Sequence, residues 1–132
     1  MRRNLLARLL VAAAACVVAV ALLSLRADAR DCRQAGVDLY LRAATAGAPV
    51  AQASRRLVES CAGSEPLVRA AGGLRHFERW DAATRLARLA TAREPDSYGA
   101  WAALAQAARG DEAERAREQA LELNPLAARA SR

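Results

Sequence analysis

The stretch EPDSYGAW, residues 94–101, decides the fold, because one helix is expected to end at its proline and another to begin before its tryptophan. Beyond it, apolar residues recur at the spacing i, i+3, i+4 and i+7, which predicts a helix with one buried face. These residues are Trp101, Leu104, Ala105 and Ala108. Gly110-Asp111 then ends this helix and begins the next one.

The next helix is predicted by four apolar residues that share one side: Ala113, Ala116, Ala120 and Leu123. Asn124-Pro125 stops it, and Asp111 followed three residues later by Glu114 predicts a capping box at its start. Two short helices joined by a tight turn form a helical hairpin. One hairpin cannot bury its apolar face alone, so neighbouring hairpins are expected.

The segment before this pair repeats the pattern. A first helix is indicated by Leu67, Ala70, Ala71 and Leu74, and a second, after a turn near Phe77–Asp81, by Ala83, Leu86, Leu89 and Ala90. This second helix ends at Pro95. When Pro95 is aligned with Pro125 the period is 30 residues (125 − 95), which is typical of stacked repeats.

With two helix pairs and a closing proline in each, the segment resembles the tetratricopeptide repeat family. The matching positions are Leu67, Ala70, Ala71, Leu74, Ala83, Ala90 and Pro95 in the first copy, and Trp101, Leu104, Ala105, Ala108, Ala113, Ala120 and Pro125 in the second. Leu67 stands where the family often has tryptophan, and the second copy is shorter around Gly110. The alternative is a generic alanine-rich helical bundle.

The resemblance implies an all-α fold of stacked hairpins, an α-solenoid, whose first helices line a concave groove for a protein or peptide. On this sequence the groove positions would be Arg69, Arg75, His76, Gln106 and Arg109. Such a groove is mildly basic and favours an acidic or extended peptide. The family's Lys/Asn clamp for a C-terminal carboxylate is not matched, since the chain has no lysine. An ordinary solvated helix face is the competing interpretation.

Composition narrows the function classes. The net charge is +6, but acidic and basic residues are interspersed along the predicted helices, and no basic stripe carries aromatic residues, so no nucleic acid is expected as a partner. The single histidine, His76, has no evident nucleophile or orienting partner. We therefore predict no catalytic residue, no metal site and no cofactor. The use of arginine alone, with abundant alanine, suggests a bacterial origin.

The N-terminal segment predicts a membrane helix. Leu9–Leu25 is uncharged, and arginines flank it on both sides. Its length is just sufficient to cross the hydrocarbon core of a bilayer, which favours an uncleaved signal anchor. The alternative is a signal peptide, because Ala27-Asp28-Ala29 resembles a cleavage site. Cleavage would release a secreted protein.

Residues 30–63 predict a third hairpin, preceded by a short polar connector. Val37, Tyr40, Leu41 and Ala44 predict the apolar face of its first helix, and Val50, Ala53, Leu57 and Cys61 that of its second. Cys32 and Cys61 are about equally far from the turn at residues 46–49, so they meet at the open end of the hairpin, within reach of a disulfide. Two buried thiols are the alternative. A disulfide implies an oxidising compartment.

The sequence thus predicts four segments: a cytoplasmic tip and membrane anchor (1–29), a hairpin with a disulfide (30–63), two tetratricopeptide-like hairpins (64–127) and a disordered tail (128–132). The predicted function is a non-catalytic protein-interaction scaffold in the bacterial inner membrane, with its C-terminal domain outside the cytoplasm. The alternative is a structural or secreted accessory protein that completes its helical array by self-association.

Overall fold

The structure, a computed structural model, describes residues 2–126, and for residues 2–12 and Leu25 it describes the backbone alone. Within this range all regular elements are α-helices, which confirms the all-α prediction. The helices are α1 (Arg2–Ala44), α2 (Ala51–Ser60), α3 (Glu65–His76), α4 (Trp80–Arg93), α5 (Tyr98–Ala107) and α6 (Asp111–Leu123). The predicted tail, 128–132, lies outside the described residues.

The helices pack as three consecutive hairpins. Each odd-numbered helix packs against the helix that follows it, and the hairpins stack because α1 packs on α3, α3 packs on α5 and α2 contacts α4. The first helices of the three hairpins therefore share one side of the stack. Helix α4 also packs against α5, which joins the second hairpin to the third.

Leucine and alanine form the core, because alanine lets helix backbones approach closely while leucine fills the space between them. Of the ten residues predicted to pack the repeats, seven are buried: Leu67, Ala71, Leu74, Ala83, Ala90, Leu104 and Ala120. The other three, Trp101, Ala105 and Ala113, are half-buried. Trp101 also donates its indole N–H to the carbonyl oxygen of Pro95 at 2.6 Å, which fixes the chain entering α5.

The start of α6 differs from the prediction of a capping box. Gly110 precedes the helix with φ of 58°, a left-handed conformation that favours glycine, and no side chain caps the helix. Asp111 is already the first helical residue, so its carboxylate is not placed to accept from the N–H of Glu114. The carbonyl oxygen of Gly110 instead accepts from the backbone N–H groups of Ala113 and Glu114.

Helix α1 is a single helix of 43 residues, about 65 Å long. The prediction of a polar connector near residue 30 is wrong, because α1 continues through this segment without a break. None of the helical stretches whose side chains are described is both long and apolar enough to cross a membrane. The predicted span, Leu9–Leu25, includes residues whose side chains lie outside that description.

The first hairpin confirms the predicted disulfide between Cys32 and Cys61, whose Cα atoms are 4.8 Å apart. The predicted buried face of its first helix is wrong. Val37, Tyr40 and Leu41 are 52%, 54% and 61% exposed, and Ala44 is exposed too. The residues of α1 that pack against α2 and α3 are instead in phase with Cys32: Ala35, Leu39 and Ala43.

Candidate functional site

An open, mostly apolar trough lies between α1 and α3, on the side of the stack formed by the first helices. Its volume is about 430 Å³. Residues between Ala29 and Ala43 of α1 form one wall, and residues between Pro66 and Leu74 of α3 form the other. Leu57 of α2 also lines it. We call this cavity the trough.

Three large apolar side chains border the trough and remain exposed to solvent: Val37, Tyr40 and Leu41. They stand at i, i+3 and i+4, so they form one short stripe on α1. Tyr40 packs its ring edge-to-face on Phe77, with 5.0 Å between centroids. Clustered large apolar side chains at a concave surface are typical of a binding site, whereas single ones are ordinary.

Among the residues whose side chains are described, the charged ones that line the trough are Arg33 and Arg69. Arg69, a predicted groove residue, is paired with Glu65 one turn earlier on α3. Both partners are about four-fifths exposed, so solvent screens this ion pair and it holds Arg69 only weakly. The trough therefore combines an apolar floor with positive charge at its rim.

A second cavity, of about 220 Å³, lies between α3 and α5. It brings together two other predicted groove residues, Arg75 and Gln106. Its remaining lining is small or apolar, and it includes Gly72 and Gly99. The trough and the second cavity lie on opposite flanks of α3, along the row of first helices.

The other two predicted groove residues lie elsewhere. Arg109 is placed over the ring of Trp80, 5.6 Å from its centroid, in a cleft of about 820 Å³ that α4 and α6 border. It does not join Arg75 and Gln106. His76 ends α3 and packs edge-to-face on Phe77 at 5.0 Å. It is exposed beside the trough but is not among the residues that line it.

The cleft that holds Arg109 carries charges of both signs, which separates it from the trough. Arg88 donates two hydrogen bonds of 2.6 Å to the carboxylate of Glu112 and so links α4 to α6. These bonds lower the pKa of Glu112 and raise that of Arg88. Glu78 and Asp81 also line the cleft. Arg88 and Glu112 thus form a polar contact between two helices within this cleft.

The sequence pattern predicts that Val37, Tyr40 and Leu41 lie in the core, so it did not indicate that they form an exposed stripe. A signal for the correct face was present in the sequence, because Ala35, Leu39 and Ala43 follow Cys32 at helical spacing. Once Cys32 is assigned to a disulfide inside the hairpin, these residues must be the buried ones. Arg33 was missed for the same reason.

The geometry of this face suits binding by shape and charge. In the part of the chain whose side chains are described, no three histidine, cysteine, aspartate or glutamate residues cluster closely enough to hold a metal ion. Comparisons of the chain with protein-family models, with curated proteins and with solved structures gave no match. The tetratricopeptide resemblance therefore stays a prediction from the sequence.

Proposed function

We propose that this chain is a non-catalytic scaffold of tetratricopeptide-like hairpins that binds another polypeptide on the face of α1, α3 and α5. The observation that carries the proposal is the open trough bordered by exposed Val37, Tyr40 and Leu41. Burying such side chains against a partner gains about 25 cal/mol for each Å² of apolar surface. Val37 and Leu41 are more than half exposed, so most of their apolar surface is available to a partner.

Charge at this face favours an acidic polypeptide. Arg33 and Arg69 line the trough and Arg75 lines the second cavity, while neither cavity is lined by an aspartate or glutamate among the described residues. Complementary charges raise the rate of association and select against basic partners. The arginines thus contribute specificity, and the apolar stripe contributes most of the binding free energy.

We also propose that Leu9–Leu25 anchors the scaffold in the bacterial inner membrane, with residues 30–126 outside the cytoplasm. Support comes from the uncharged run between flanking arginines and from the disulfide, which is typical of oxidising compartments. If the segment were cleaved after Ala29 instead, the same domain would be secreted. The mass of the mature N-terminus from expressing cells distinguishes these two outcomes.

The binding proposal is tested by the double variant Val37→Asp/Leu41→Asp in the full chain kept in a mild detergent. Both side chains are exposed, so the fold should tolerate the change. Fluorescence anisotropy with acidic peptides rich in leucine should show at least about a tenfold loss of affinity. Leu89→Asp, at an exposed position on α4, is the matched control and should change little. Equal losses in both variants would contradict the proposal.

Self-association is the second candidate, because the same exposed stripe could be covered by another copy of the chain. In that case light scattering of the full chain would give a dimer whose affinity falls in the Val37→Asp/Leu41→Asp variant. A monomer whose peptide binding is lost in that variant favours the scaffold. A dimer that binds no peptide favours the structural role.

A further inference from the structure

We infer that the trough takes an amphipathic α-helix that lies along α1, with its apolar ridge between α1 and α3 and acidic residues beside Arg33 and Arg69. This occupant presupposes the proposed function and specifies the kind of polypeptide that is bound. If the trough binds this helix, the second cavity, between α3 and α5, is not the main binding site.

The length of the trough matches a helix of about four turns. Its lining on α1 extends from Ala29 to Ala43, which corresponds to about 21 Å along the helix axis. On α3 the lining extends from Pro66 to Leu74, about 12 Å. The cavity is therefore elongated in the direction of α1, and an occupant that fills it must run in that direction.

The chemistry of the lining favours a helix over an extended peptide. An extended chain presents an unpaired N–H or C=O group at nearly every residue, and burying such groups without partners is costly. In the described part of the lining, the polar side-chain groups are the guanidinium groups of Arg33 and Arg69 and the hydroxyl of Tyr40. A helix satisfies its own backbone hydrogen bonds and can present a purely apolar ridge.

Glycine at position 73 opens the trough for such a ridge. A Cβ atom at Gly73 would lie 3.7 Å from Cδ2 of Tyr40, so the absence of a side chain leaves open space beside the Tyr40 ring. Gly72, its neighbour, lines the second cavity instead, and a Cβ atom there would meet no atom within 4 Å. Adjacent glycines therefore serve two different cavities, and substitution of each tests one of them.

The positions of the two arginines predict where the acidic residues of the bound helix lie. Arg69 precedes Gly73 by one turn on α3, and Arg33 precedes Tyr40 by two turns on α1. Helix α2 runs antiparallel to α1, and α3 runs antiparallel to α2, so α1 and α3 run in the same direction. Both arginines therefore lie toward the disulfide end of the trough. The acidic residues of the bound helix should therefore cluster at one end.

The experiment uses the full chain in a mild detergent and a labelled synthetic helix of 18 residues, with leucines on one face and glutamates near one end. Detergent alone is the blank. We expect Gly73→Leu, which fills the trough, to weaken binding at least tenfold, and Gly72→Leu to change it less than twofold. Both variants replace a helical glycine by a better helix former, so neither should unfold the protein, and thermal unfolding checks this.

Two further binding experiments test whether the ligand is helical and whether its acidic residues contact the two arginines. A peptide with a central proline should bind at least tenfold more weakly, and the charge-reversed chain Arg33→Glu/Arg69→Glu should prefer a lysine version of the helix.

Failure of the helix to bind, equal binding of the proline peptide, or a loss confined to Gly72→Leu would overturn the inference. If an extended acidic peptide still bound in that case, the proposed scaffold function would stand. A dimer of the chain that dissociates in Gly73→Leu would identify a second copy as the occupant and overturn the inference too.

Discussion

Arg93 and Glu94, adjacent residues at the end of α4, hold the loop between α2 and α3. The guanidinium of Arg93 donates to the carbonyl oxygens of Val58, Cys61 and Gly63 at 2.6, 2.7 and 3.0 Å. The Val58 carbonyl belongs to the last turn of α2, where no intrahelical donor is left for it. One side chain thus caps α2 and fixes the first hairpin against the second.

Replacing Arg93 by alanine should lower the free energy of unfolding by about 1–3 kcal/mol, because hydrogen bonds from a charged donor are the stronger kind. Urea denaturation of the full chain measures this. Arg85→Ala, at an exposed position on the same helix, is the control and should stay within about 0.5 kcal/mol of the parent. If the two variants had equal effects, the capping role of Arg93 would be refuted.

Glu94 accepts hydrogen bonds from the hydroxyl and the backbone N–H of Ser64, at 2.6 and 2.8 Å. The hydroxyl bond first, then the N–H bond, lower the pKa of Glu94 below its ordinary value. The unfolded chain then binds more protons than the folded chain between the two pKa values, so stability rises with pH in this window.

The stabilisation by Glu94 is accordingly present above the ordinary glutamate pKa of about 4.3 and is lost as the pH falls through the lower, folded-state value. Glu94→Gln should flatten the pH dependence of the unfolding free energy below about pH 5. Glu59→Gln, on the exposed side of α2, should leave the slope as it is in the parent. An unchanged slope in Glu94→Gln would show that these hydrogen bonds do not persist in solution.

At the scale of elements, the first hairpin depends on its disulfide more than the others depend on any single contact. Cys32 and Cys61 are 29 residues apart, and in the chain-entropy model a loop of that length stabilises the fold by about 3–4 kcal/mol. The variant Cys32→Ala/Cys61→Ala should lose about this amount in denaturation. Cys16→Ala, which removes the exposed free cysteine, is the control. A loss below about 1 kcal/mol would mean that packing of α1 on α3 already holds the hairpin.

The helices of the second and third hairpins were predictable because their boundaries and faces agree. Pro95 and Gly110 limit the helices, and most of the leucines and alanines at i, i+3, i+4 and i+7 lie on the side that is buried. Leu89 is the exception, because it was predicted on the buried face of α4 and is 41% exposed. For α1, helical spacing alone does not identify the buried face. Two sets of apolar residues fit helical spacing, one containing Leu39 and the other Leu41, and tertiary packing chooses between them.

The candidate site was predictable only in part. The resemblance placed the groove on the first helices, and Arg69, Arg75 and Gln106 line the two cavities found there. Arg109 is different because α5 ends at Ala107, so Arg109 lies in the following turn and reaches Trp80 instead. The position of a turn residue depends on where the chain leaves the helix, and spacing rules locate such ends only within a few residues.

At the scale of the whole molecule, the two sides of the stack differ in their surface chemistry. Second helices carry paired contacts, such as Arg88 with Glu112, that hold the hairpins together. First helices leave Val37, Tyr40 and Leu41 exposed along the trough, with arginines at its rim. Because α1 continues unbroken from residue 2 to residue 44, one helix provides both the N-terminal apolar run and a wall of the site.

Photo-crosslinking tests this account most directly. A benzophenone amino acid is placed in the full chain at position 41, on the trough, or at position 89, an exposed leucine position on α4, and each protein is irradiated with the labelled acidic helix. We predict a crosslinked product from position 41 and none above background from position 89. Crosslinking from position 89 alone, or with equal yield from both, would contradict the claim that the trough is the binding face.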